Sequence, residues 1–288
     1  MPTVQKSSLP YYRVVRIFFL LIIGVACATP SRSWAQSLDA LIPDSTLSPL
    51  LKTFSILTAH RPYQGAASLK AGGGAGFEFG LEALLLHMPA DLTAAVGGSG
   101  GLSVLPSARV HLGYAISPFI DVGISGLWYL GTYFAGGSLK LLLWAPEEGP
   151  TLAVRTSYNY TYFDYAGIGL PLPDPGLQGA DSSGTTIILA THTLSPQVVL
   201  SKRLNWAEPY LFSGFDISTG IVTYKGSVSF AGQTVITTSS SPRKVFWGFI
   251  AGSGFIIRVP LIGLKIALEG AYSSLGMPTL GAQIGLSF

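Results

Sequence analysis

The chain has 288 residues, of which only 11% are charged, with 17 basic against 14 acidic side chains, 35 glycines and a single cysteine. Mean hydropathy is high at +0.47, yet no apolar run approaches the roughly 18 residues that a spanning helix needs. That combination excludes a helical membrane protein and a highly charged nucleic-acid binder. It fits apolar residues dispersed at alternate positions along strands, in one large all-β domain or two smaller ones. A soluble glycine-rich sandwich is the competing reading.

Residues 1–35 read as a secretory leader. Lys6, Arg13 and Arg16 form its basic region, Ile17 to Ala28 its apolar region, and Ser33-Trp34-Ala35 a small-residue cleavage site that would leave Gln36 first. Ala26-Cys27-Ala28 is an alternative site. Cys27 also raises a lipid-anchor reading, which Gly24 disfavours because such leaders usually carry Leu there. The leader holds Lys6, Arg13, Arg16 and Arg32 and no acid, so its removal leaves the remaining charge nearly balanced. Nothing then points to nucleic acid. Its removal also takes Cys27, and with it disulfides, thiol chemistry and any cysteine-held metal.

Residues 36–73 carry no strand pattern. Ser48-Pro49 is a helix start, and Leu47, Leu50, Leu51, Phe54 and Leu57 keep helical spacing on one side. The spacing predicts a short amphipathic helix of about three turns. It is expected to cover the domain's edge on the periplasmic or interfacial side; a plug helix inside a lumen is the alternative.

From about Gly74 to Phe288 the chain alternates with period two. Phe77, Phe79, Leu81, Ala83 and Leu85 oppose Gly76, Glu78, Gly80 and Glu82. Val110, Leu112, Tyr114 and Ile116 oppose Arg109, His111 and Gly113. Ile120, Val122, Ile124 and Trp128 oppose Asp121, Gly123 and Ser125. Leu139, Leu141 and Leu143 oppose Ser138 and Lys140, and Leu152, Val154, Tyr158, Tyr160 and Tyr162 oppose Arg155, Ser157, Asn159 and Thr161. Thr185 to Leu204 is long enough to be a strand, with a phase slip near His192 that suggests a bulge. Leu211, Phe215, Ile217 and Ile221 oppose Asp216 and Ser218, and Trp247, Phe249, Phe255 and Ile257 oppose Gly248, Gly252 and Gly254. Two further strands, from Leu264 and from Thr279, form a closing hairpin. Lys265 and Glu269 lie on the small or polar face of its first strand, and Leu280, Ile284, Leu286 and Phe288 on the apolar face of its second. The count is ten.

The connections alternate in length. Those at Ser117-Pro118, Ala145 to Pro150, Asn205 to Pro209 and Pro260 to Gly263 are short, while His87 to Ser107, Gly167 to Gly184 and Lys225 to Arg243 are long and rich in Gly, Ser, Pro and Thr. Trp144 and Trp206 stand at short-turn ends. Trp128, Tyr133, Tyr165, Trp247 and Tyr272 stand toward loop ends, as two interfacial belts would require.

A strand closed by a final aromatic residue, here Phe288 with Leu286 and Ile284, resembles the C-terminal signature of bacterial outer-membrane β-barrels. The resemblance covers about Gly65 to Phe288 and rests on architecture. It implies a transmembrane antiparallel β-barrel of about ten strands with a short N-terminal helix, both termini in the periplasm and long loops outside. It further implies outer-membrane lipids and lipopolysaccharide as surroundings, and recognition of Phe288, Leu286 and Ile284 by the barrel-assembly machinery. No catalytic residue comes with it.

The inward charges are the candidate site: Glu78, Glu82, Arg109, His111, Asp121, Lys140, Arg155, Asp216, Lys265 and Glu269. Opposite signs recur on neighbouring strands, Glu78 and Glu82 beside Arg109 and Asp121 beside Lys140, with Lys140 also beside Arg155. Enclosed charges favour partners. The expectation is therefore a narrow, largely charge-paired lumen in a structural or surface-interaction protein. The alternative is a small-solute channel lined by the same residues, whose balanced charges differ from a single-sign selectivity ring. A distant alternative is an outer-membrane hydrolase using His192 with Ser195, or His87 with Asp91 and Ser99, neither of which shows a nucleophile motif. Four scattered histidines make no metal cluster. The glycine runs lack the lysine of a phosphate loop, so no cofactor is expected.

Overall fold

The computed structural model describes residues 44–57, 59, 61–72, 75–87, 104–129, 132–147, 149–164, 186–230, 233–240, 243–275 and 277–288. The expected leader, its cleavage site, Tyr165, Asp91 and Ser99 lie outside these residues.

A helix, α1 (Asp44–Leu57), and a 3-10 turn, Leu69–Gly72, precede the strands. The strands are β1 (Phe77–His87), β2 (Val104–Ser117), β3 (Ile120–Tyr129), β4 (Thr132–Trp144), β5 (Thr151–Asp164), β6 (Thr186–Ser201), β7 (Ala207–Phe230), β8 (Gln233–Ser240), β9 (Lys244–Val259), β10 (Leu264–Ser273) and β11 (Met277–Ser287). Each wall strand pairs antiparallel with the next, and β7 passes over β8 to pair with β9. The ring closes where β11 returns to β1, from Glu78↔Ser287 to Leu86↔Thr279. Ten strands therefore form a closed wall.

The wall is inverted relative to a soluble barrel. On β1 Phe77, Phe79, Leu81 and Leu85 are exposed while Glu78 and Glu82 are buried. The same holds round the ring: Ile124, Leu211, Leu268, Leu280 and Ile284 face outward. An apolar exterior over strands paired in a closed ladder is what a hydrocarbon solvent demands. Trp144 and Trp206 are exposed at the short-turn end, and Tyr133, Trp247 and Tyr272 toward the long-loop end.

Three expectations need correction. First, the connection from Lys225 to Arg243 is not plain loop. Strand β7 runs on beyond the wall and folds back as a hairpin with β8, from Thr223↔Ser240 to Phe230↔Gln233. Its Thr- and Val-rich composition suits a strand as readily as a loop. Second, β6 has no phase slip at His192. Thr191, Thr193, Ser195, Gln197 and Val199 are all buried, and the β5 ladder runs through in one register. Apolar Leu189 and Val199 simply face inward, which blurs the pattern in sequence.

Third, α1 begins at Asp44, so Pro49 falls inside it rather than at its start. Nor is it a one-faced cover. Leu51, Thr53, Phe54, Ser55 and Ile56 are all buried, and four consecutive positions cannot share one face of a 3.6-residue repeat. The helix is surrounded because it lies inside the wall.

The plugged lumen as candidate functional site

The site begins where α1 meets the wall. Phe54 packs on Phe163 at 4.5 Å between ring centroids. Ile56 joins Leu86 and Met277 in an apolar cluster, and the Lys52 ammonium lies 5.6 Å from the Phe246 ring centre. Leu51 occupies the space over Gly220, where an added Cβ would strike it. Thr193 Oγ1 donates to the Ser55 carbonyl at 3.3 Å. These wall residues lie toward the long-loop ends of their strands, so α1 fills that mouth.

From Ala59 the chain turns down the lumen toward the short-turn mouth. A segment without regular structure must find partners for its own backbone groups, and inward charges supply them. Arg61 donates to Thr279 Oγ1 and lies 3.9 Å from Glu269. Tyr63 lies over Gly281 and donates to the Ala83 carbonyl at 3.3 Å. Arg155 donates to the Gln64 carbonyl at 3.0 Å. Lys140 Nζ donates to the carbonyls of Gly65 and Ala67 at 3.2 and 2.6 Å. The amide of Ala66 donates to Ser201 Oγ and that of Ala67 to Glu208, at 2.9 and 3.2 Å. Asp121 accepts from Ser68 Oγ and the Leu69 amide, both at 3.0 Å. The segment thus crosses the lumen from one mouth to the other, bonded to the wall throughout.

All ten candidate residues face this lumen and are buried. Lys265 on β10 meets Glu78 on β1 at 2.7 Å across the intervening strand β11. His111 stands between Glu78 and Glu82 at 3.7 and 3.2 Å, and Arg109 meets Glu82 at 3.5 Å. Lys140 pairs with Asp121 at 2.9 Å, and Arg155 reaches across to Glu269 at 3.5 Å and takes Gln197 at 2.6 Å. Asp216 accepts from Ser195 Oγ at 2.6 Å.

Further charged and aromatic contributors, beside the uncharged Thr279, Gln197 and Ser201, were not among the sequence candidates. Glu208, Arg258 and Tyr210 lie on inward-facing positions of β7 and β9, which strict alternation from Asp216 and Gly254 would have reached. Glu208 takes Arg258 at 2.6 Å, and Tyr210 donates to Glu269 at 2.9 Å. Arg61 and Tyr63 come from a stretch without periodicity, and nothing local marks them.

The residues proposed for hydrolysis do not assemble. His192 and Ser195 lie on opposite faces of β6: His192 faces outward, its Nδ1 2.6 Å from the Tyr158 hydroxyl, while Ser195 is buried in the lumen against Asp216. His87 is on β1, with Asp91 and Ser99 outside the described residues.

Ten antiparallel strands close on themselves around buried charges and turn an apolar face outward. This is an outer-membrane-type β-barrel.

No family model matches the chain, and no curated protein matches it. Among solved structures it is similar to Neisserial surface protein A, at 11% identity over 74% of this chain and 97% of that one, with a TM-score of 0.25. It is also similar to the Acinetobacter baumannii outer membrane protein Omp33, at 8% identity over 74% and 97%, with a TM-score of 0.30. The attachment invasion locus protein Ail of Yersinia pestis matches at 12% identity over 73% and 93%, with a TM-score of 0.24. At these scores no role is taken from any of them. The barrel's own lumen remains the guide to its function.

Proposed function

We propose that this protein is a bacterial outer-membrane barrel whose lumen is closed by its own N-terminal segment, and that it serves a structural or surface-interaction role at its mouths. One observation carries the reading: from Arg61 to Leu69 the segment runs through the lumen and is hydrogen-bonded along its length to Thr279, Arg155, Lys140, Glu208 and Asp121. Charges so engaged are poor ion-selectivity groups, because a permeating ion must compete with partners already held at hydrogen-bond distance in a low-dielectric site. The long-loop end faces outward among lipopolysaccharide, and the short turns face the periplasm. No catalysis forms part of this reading.

The test is single-channel recording of the refolded chain from Gln36 to Phe288 in a planar bilayer. The expected record is a silent baseline from protein whose folding is confirmed by heat-modifiable gel mobility. Steady conductance steps whose ion selectivity reverses in Arg155→Glu would replace this reading with the small-solute channel.

A further inference from the structure

At the short-turn mouth two cavities, of about 460 and 530 Å³, flank the descending backbone at Ser68. Both volumes fall in the range of small-ligand sites. Arg203 lines both. The first is built from two unlike halves. Arg203 and Arg258 supply two guanidinium groups, and Val259, Leu261, Ile262, Leu264 and Phe288 supply an apolar rim. No Asp or Glu side chain lines it.

Glu147 lines the second cavity, and Glu208, close by, is already engaged: it is fully buried and accepts from Arg258, Ser201 and the Ala67 amide. Arg258 spends one of its five donors there. Arg203 makes no hydrogen bond among the described residues. Partial burial and the neighbouring Arg258 push its pKa below the ordinary arginine value, against the opposing pull of Glu208. Glu208 offsets part of the repulsion between the two guanidinium groups, and an anion in the cavity would offset more of it. A planar guanidinium fork suits an oxyanion, which accepts in pairs.

The rim is unusual in the other direction. The turn Pro260–Ile262 is closed by Gly263 in the left-handed region at φ 64°. It holds Leu261 97% exposed and Ile262 largely so, beside the charged half of the cavity. Uncovered apolar side chains next to a cation pair favour a ligand with both characters.

We propose that the short-turn mouth holds an anionic amphiphile, its phosphate or carboxylate headgroup between Arg203 and Arg258 and its hydrocarbon chain along Val259, Leu261 and Ile262. The site is independent of whether the lumen conducts. It would place a single lipid-like molecule at the mouth where the N-terminal segment leaves the lumen for β1.

Native mass spectrometry of the full barrel in a neutral polyoxyethylene detergent tests this with three probes: dodecyl phosphate, dodecanol and inorganic phosphate. One dodecyl phosphate is expected per barrel, held about ten-fold more tightly than either dodecanol or inorganic phosphate. Arg203→Gln is expected to lose that ten-fold preference over dodecanol, with partial recovery in Arg203→Lys. Ile262→Ser is expected to narrow the gap to inorganic phosphate. Arg203 and Ile262 are exposed on turns, and unchanged heat-modifiable mobility verifies that each variant is folded. Equal retention of dodecanol, equal retention of inorganic phosphate, or an unchanged dodecyl phosphate level in folded Arg203→Gln would each overturn the proposal.

Discussion

Inside the lumen, glycines decide where large side chains can stand. Tyr63 lies on Gly281, Phe212 on Gly252 and Tyr210 on Gly254, and a Cβ at any of the three glycines would collide with the ring above it. Gly281→Leu is expected to destabilise the barrel by about 2 kcal/mol through overpacking, read as a lower urea midpoint of refolded protein. Tyr63→Ala in the same chain is expected to recover most of that loss by vacating the space, and a purely additive pair of losses would contradict the contact. Arg61 is the second decisive residue. Removing it leaves Glu269 facing Arg155 alone and takes the nearby positive charge from Asp216. Arg61→Met is expected to cost roughly 3 kcal/mol, as loss of one partner from a buried charge group does; a urea midpoint unchanged from the parent would show that water screens those carboxylates. Neither residue could be picked from sequence. The Arg61–Thr279 bond joins positions 218 apart, and an extended segment whose partners lie so far along the chain leaves no local signal.

At the scale of elements, what was legible followed from period two. The faces of β1, β5, β10 and β11 could be assigned because one side of each strand meets hydrocarbon and the other a polar lumen, and even the pairs Glu82–Arg109 and Asp121–Lys140 follow from neighbouring strands in register. Where both faces are alike, as with inward Leu189 and Val199 on β6, the pattern blurs. The helix was found, but its place was left between an edge cover and a plug inside the lumen, and the edge cover was preferred. A 3.6-residue repeat identifies an apolar stripe without saying whether a wall surrounds it. The placement of α1 at the long-loop mouth makes a topological prediction. In a Cys27→Ser background, Ser48→Cys is expected to react with a membrane-impermeant maleimide on intact cells. Leu261→Cys is expected to react only after the outer membrane is permeabilised. Labelling of both positions from the same side would remove the helix from that mouth.

For the whole molecule, the wall and the segment form one electrostatic unit. The named acids of the wall are Glu78, Glu82, Asp121, Glu208, Asp216 and Glu269; the named bases are Arg109, Lys140, Arg155, Arg258 and Lys265, and Arg61 of the segment supplies the missing positive charge. A barrel lacking residues 44–72 is therefore expected to conduct cations in preference to anions, measured as reversal potential under a salt gradient. Anion preference would contradict the acidic excess of the wall, and no conductance from the folded deletion would mean that the wall charges rearrange to close the lumen by themselves.

The segment's path also constrains the order in which the barrel is built. With α1 at one mouth and Gly76 at the other, the stretch between is flanked by the polar and charged side chains it bonds. Threading it through a finished ring would mean dragging Arg61 past Glu269, Asp216 and the aromatic rings that crowd the middle. The wall must instead close round a segment already in position. The last seam to form would then be the one between the first strand and the last, where Glu78 to Leu86 meets Thr279 to Ser287. On this view the N-terminal stretch is a mandrel: the sheet is curled about it before the edges are joined.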